Sequence, residues 1–123
     1  MRILLVISFL VFPQTGFSDW VNIGSTKGIN YYIDFDRLRY KNNHVFWWTL
    51  VDFSKTRNNF LSMKSYRQGD CISYKFRDLQ ISAYPNSMGI GNPSKSFTYE
   101  DGKWKYANPN TFDETMLDKV CKN

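Results

Sequence analysis

HVFWWTLVDF, residues 44–53, is the most apolar stretch outside the first twenty residues, and its alternation decides the architecture. As a strand it puts Val45, Trp47, Thr49, Val51 and Phe53 on one side and Phe46, Trp48, Leu50 and Asp52 on the other. Both sides are largely apolar. A half-exposed antiparallel strand alternates apolar with polar, so this one is expected to be covered on both faces. Either the sheet curls over itself or a partner chain supplies the second cover.

The neighbouring segments carry the same signature. Aromatic residues make up 18% of the chain and fall in short runs between turn-forming residues, the pattern of an antiparallel sheet. DWVNIG and INYYIDF flank the turn STKG; after the polar SKTRNN come FLSMKSYRQ and CISYKFRDLQISAY. PNSMGIGNPS is a loop by its Pro, Gly and Asn content, and SFTYEDGKWKYA is predicted as a hairpin turning at Asp101 and Gly102. Only the end reads as helix. Thr111 with Glu114 three residues later forms a capping-box pattern, and Phe112, Met116, Leu117, Val120 and Cys121 recur on one helical face. A helix of about three turns is marginal alone in water, so it must be held to the sheet.

The N-terminus MRILLVISFLVFPQTGFS has one early cation, Arg2, an apolar run over residues 3–12, then Pro13 and the small residues Gly16 and Ser18. That is the layout of a secretory signal peptide cut after Ser18, and ten apolar residues are too few to span a bilayer, which takes about 20. Residues 19–123 then form one domain, because 105 residues suffice for a single core. Losing Arg2 takes the net charge from +5 to +4, a mildly basic exported protein. In an oxidising compartment two cysteines imply a single structural disulfide, Cys71 to Cys121. Closing so long a loop stabilises the fold by roughly 4 kcal/mol on the chain-entropy model. It also explains a cysteine two residues from the end: the bond clasps the last helical turn against fraying.

Signals for chemistry are sparse. His44 is the only histidine and, with two cysteines, leaves a zinc site one ligand short. No nucleophile elbow or phosphate loop is present, and no cofactor or metal is expected. Asp34 and Asp36, followed by Arg37 and Arg39, read as turn and ion-pair residues. The chain is therefore expected to bind rather than catalyse. Lys64, Arg67, Lys75 and Arg77 lie among Tyr66, Tyr74 and Phe76, a mixture that can bind single-stranded nucleic acid, but export argues for a protein or carbohydrate partner instead. Trp47 or Trp48, ringed by Arg67 or Lys75, is the expected interface, either with a partner protein or in a homodimer.

The succession DWVNIG, YYIDFDRLRY, VFWWTLVDF, GDCISYKFRDLQISAYPNSMGIG, KWKYANPNT and a closing LDKVC resembles the bacterial surface-adhesin protein E family over residues 20–121. The most telling parts are the Asp70-Cys71 dipeptide, the aromatic-Pro-Asn-Ser-Met-Gly stretch beginning at Tyr84, and the terminal Cys121. The resemblance implies an α+β fold: a six-stranded antiparallel β-sheet with one C-terminal α-helix on its concave face, tethered by a disulfide mapping onto Cys71 and Cys121. It also implies an adhesin that dimerises and binds host matrix and serum proteins, while the chain has no lipid-attachment cysteine. The rival expectation is a small periplasmic structural or inhibitory protein. Intact mass of the exported product should show a chain starting at Asp19; a product retaining residues 1–18 would refute the leader.

Overall fold

The computed structural model describes residues 19–122; the leader lies outside them. Five long strands form a meander, β1 (Trp20–Thr26), β2 (Ile29–Lys41), β3 (His44–Arg57), β4 (Phe60–Asp70) and β5 (Lys75–Tyr84), each antiparallel to the next. Two short strands, β6 (Lys95–Thr98) and β7 (Lys105–Tyr106), close the sheet, and α1 (Phe112–Lys122) ends the chain. The meander follows from its turns. Lys27 and Gly28, and likewise Asn58 and Asn59, all have positive φ, the geometry of two-residue hairpin loops that match the twist of the strands they join. β2 and β3 consequently run well past the apolar segments legible in the sequence, to Lys41 and Arg57.

Two expectations are corrected. SFTYEDGKWKYA is not a hairpin: β6 and β7 each pair with β5, against residues 80–83 and against Lys75 and Phe76. Their separation follows from β5 itself, which carries Leu79 as an extra residue opposite β4 and divides its outer edge in two. Gly102 passes so close there that a Cβ would lie 2.5 Å from the Asp78 carbonyl oxygen. Cys71 does not begin a strand either. It opens a four-residue turn shaped by Asp70, whose carboxylate accepts the backbone N–H groups of Ile72 and Ser73 at 3.0 Å each.

α1 lies across one face of the sheet. Thr111 caps it by accepting the Glu114 N–H, while Glu114 receives the N–H of Asn110, one residue earlier than a capping box requires. Met116, Leu117 and Val120 are buried against Ile33, Val45, Trp47 and Phe76. Each contributes roughly 2 kcal/mol by leaving water, which offsets the poor intrinsic stability of so short a helix. Tyr31 stacks on Phe112 at 3.9 Å, and Tyr40 donates to the carbonyl of Val120 at 2.7 Å. The Cys71–Cys121 disulfide then fixes the last turn of α1 to the β4–β5 turn.

Part of the second face of β3, at its Leu50 end, is covered from within the chain. Loop residues 85–90 fold onto the far face, where the Ser62 hydroxyl donates to the Asn86 carbonyl and accepts from Gly89 N–H, and Asp52 accepts from Met88 N–H. Leu50 is fully buried at that end. The helix face depends on a gap at Gly69, where a Cβ would meet Leu117 at 2.8 Å and the Trp47 ring at 2.9 Å. Gly69→Ala should therefore destabilise the protein by about 1–3 kcal/mol, since both obstructing groups are core side chains; chemical denaturation measures it, and an unchanged midpoint would refute this packing.

Candidate functional site

Register assigns the expected interface residues to opposite faces. Trp47 pairs with Arg67 on the helix face, whereas Trp48 pairs with Tyr66 on the far face. Trp47 is 1% exposed, and its indole Nε1 has no hydrogen-bond partner among the described residues. It belongs to the core, and of the two tryptophans only Trp48 is partly exposed. Arg67 is likewise a fold residue. Its Nε donates to Asp78 and one terminal nitrogen to Asp113, both at 2.8 Å, while its guanidinium lies 4.8 Å from the Phe76 ring centre. With an Arg67 side chain only 15% exposed, these bonds pin the start of α1 to β4 and β5.

The far face, opposite α1, gathers what the helix face does not use. Trp48 packs on Tyr66 at 4.9 Å, and Phe46 stacks on Tyr66 at 6.2 Å. Arg37 lies 5.4 Å from the Trp48 ring and is held there by Asp34, which accepts from its Nε at 2.6 Å. The buried Asp34 carboxylate also accepts from Asp36 N–H, shaping the irregular stretch where four residues of β2, 35–38, stand opposite Trp47 alone. Between that bulge and the aromatic pair runs a groove of about 430 Å³ lined by Asp36, Arg37, Leu38, Arg39, Trp48 and Tyr66. Lys64, on the same face, holds its ammonium 4.9 Å from the Tyr84 ring; burial and then the charge of Arg37 lower its pKa below that of an ordinary lysine.

A second cluster occupies the other end of this face. Trp104 is flanked by Lys75 at 5.1 Å and Arg77 at 4.8 Å, with His44 edge-on at 5.7 Å. Arg77 donates to Gln68 at 2.9 Å, and Gln68 meets the His44 ring at 2.7 Å. His44 Nε2 lies 3.7 Å from the Asp70 carboxylate at the same corner of the face. The Asp70 carboxyl is held below the usual carboxylate range, chiefly by the Ser73 N–H, with Ile72 N–H and His44 assisting against partial burial.

Trp48 and Lys75 thus share the far face with Tyr66, but Arg37, Phe46, Arg77 and Trp104 complete it. The even numbering of His44, Phe46, Trp48, Tyr66 and Gln68 was a legible signal for part of this set. Trp104 was hidden by the expected hairpin, which would have turned it away from β5.

The described residues thus form a disulfide-clasped antiparallel sheet with a single C-terminal helix on one face and an aromatic, cationic surface on the other. The sequence profile of the surface-adhesin protein E family matches residues 20–122, and the chain belongs to that family. Among solved structures it is similar to the selenomethionine form of Haemophilus influenzae protein E, with 19% identity and a TM-score of 0.64, covering 83% of this chain and 86% of that one. A second structure of Haemophilus influenzae protein E gives 18% identity and a TM-score of 0.60 over 80% and 87%. Protein E from non-typeable Haemophilus influenzae gives 19% and 0.61 over 83% and 76%. At such identities the shared property is the fold. No curated protein sequence is matched.

Arg67→Met should cost about 2 kcal/mol or more, because Asp78, itself only 16% exposed, loses its charge partner. Lys75→Met should leave the thermal midpoint within about 2 °C, as expected of a surface change away from core features. Equal effects on the two midpoints would refute the division of labour between faces.

Proposed function

We propose that the chain is an exported, adhesin-like binding protein that engages a host or envelope protein through the far sheet face, with Trp48 as the anchor. One observation carries this reading: Phe46, Trp48 and Tyr66 form a half-buried aromatic row that neither α1 nor the loop at residues 85–90 covers. Aromatic side chains and arginine are the groups that dominate protein interfaces. Family membership supports adhesion, and the leader at residues 1–18 supports export. Lys75 and Arg77 around Trp104 extend the surface.

Charge favours a different partner over a second copy. Stacking two such faces would bring together two surfaces that each carry Arg37, Arg39 and Lys64, and juxtaposed like charges oppose association. A partner presenting carboxylates meets no such penalty.

Binding of the purified protein to immobilised extracellular-matrix proteins stripped of their glycans, followed by interferometry, tests the proposal. Trp48→Ala should weaken binding by about thirtyfold, the loss of a strong anchor, while Val21→Ala on the opposite face leaves it unchanged. Trp48→Phe should restore part of the affinity. Binding indifferent to Trp48 would overturn the assignment, and concentration-dependent self-association abolished by Trp48→Ala would make this face a homodimer contact instead.

A further inference from the structure

β3 is apolar on both sides, and α1 covers only part of one of them. The helix has 11 residues and is about 16 Å long, whereas β3 has 14 residues and runs about 46 Å. We propose that the rest of the helix face, beyond Phe112, docks an amphipathic helix of a partner protein whose apolar stripe is flanked by carboxylates. This surface is separate from the far face, and the inference does not depend on the role given to Trp48.

Register identifies the floor. Tyr31 stacks on Phe112, so its cross-strand neighbours Val51 and Met63 share the face that carries α1. Ile29 pairs with Phe53 two residues further along, on the same side. Thr49, bonded to Met116 of α1, leads through Ser65 to Ile81 and Phe97. None of the six apolar side chains so placed belongs to the buried cluster under α1. Five are half-buried and Phe97 is 53% exposed, while the loop at residues 85–90 packs on the other face. Contiguous apolar surface of this kind marks a site of association.

The shape calls for a helix. A single extended segment laid over the face would bury its backbone N–H and C=O groups against apolar side chains, because the sheet's own backbone groups are paired within its plane. A helix keeps those bonds internal and presents only a stripe of side chains. α1 itself shows that this floor accepts one: Met116, Leu117 and Val120 are buried on the adjoining half, and a second helix at the same height would complete a two-layer domain.

The rim supplies the sign of the partner's charge. The Arg57 guanidinium lies 5.3 Å from the Phe53 ring centre, and Lys95 stands opposite Ala83 at the end of the row that runs through Val51 and Met63. Both are exposed, and among the described residues neither forms an ion pair. Asp78 and Asp113 on this face are already engaged by Arg67. An apolar stripe edged with Glu or Asp therefore meets complementary charge, whereas one edged with Lys or Arg meets repulsion. A second copy of the chain would bring the same two cations to the contact, which disfavours it as the occupant.

The test is calorimetric titration of the purified protein with synthetic helical peptides that carry one leucine stripe, flanked in the first by glutamates and in the second by lysines, with a scrambled glutamate peptide as control. The glutamate-flanked helix should bind about tenfold or more tightly than either of the others. Phe97→Ser should weaken it about fivefold, while Tyr106→Ser, at an exposed aromatic on the other face, changes nothing. Arg57→Gln combined with Lys95→Gln should remove most of the preference for glutamate. Lys119→Gln combined with Lys122→Gln, an equal charge change at exposed positions of α1, should keep it. The Met63 methyl resonance should shift on titration, a readout independent of stability. No binding of the glutamate-flanked peptide, equal binding of the lysine-flanked or scrambled one, or equal losses in the paired control variants would each overturn the inference. So would self-association of the free protein that Phe97→Ser abolishes, which would give the face to a second copy.

Discussion

Leu117 and the indole of Trp47 meet over Gly69, and the architecture depends on that meeting. A methyl group on Gly69 would occupy the space both side chains fill. Because they interlock there, α1 lies close enough to β3 and β4 for Met116 and Val120 to join the same buried cluster with Ile33, Val45 and Phe76. The disulfide secures the end of this arrangement rather than creating it. It joins the last helical turn to a β4–β5 turn that Asp70 has already shaped through Ile72 and Ser73. The start of α1 is secured independently by Arg67, so the helix is held at both ends and in the middle.

Committing Trp47 and Arg67 to the helix face has a consequence for binding. Successive residues of a strand point to opposite sides, so burial of Trp47 directs Trp48 to the far face. There it meets Tyr66 and Arg37, the loop at residues 85–90 covers only the neighbouring Leu50 end, and the aromatic row remains open. Fold stability and surface chemistry are thus two sides of one strand. The same division holds for the cations: Arg67 is neutralised by Asp78 and Asp113 within the core region, whereas Lys75 and Arg77 sit against Trp104 on the outside.

Much of this was legible in the sequence, and for local reasons. The strand segments, the capping residues of α1, its buried stripe and the pairing of two lone cysteines follow from periodicity, turn chemistry and inventory, each of which acts over a few residues or counts them. Trp48 and Lys75 could be singled out because aromatic and basic residues on a strand stand out wherever it folds. The contents of the far face could not be read as one surface. Arg37 reaches Trp48 only because β2 bulges after Asp34, and Trp104 reaches Lys75 and Arg77 only because β7 pairs with β5 instead of β6.

The sequence by itself determined that β3 would be apolar on both faces, that a short C-terminal helix would need a clasp, and that Cys71 and Cys121 would supply it. Only the tertiary structure decided which tryptophan is core and which is surface, because alternation is symmetric under exchange of faces until something packs against one of them. It also decided that Arg67 is a structural ion-pair residue, since its partners lie 11 and 46 residues away. Cover for the Leu50 end of the far face came from the loop at residues 85–90, bound through Ser62 and Asp52 across β3 and β4. Contacts of that range depend on how strands are ordered and where they bulge, and no local pattern of residues encodes either.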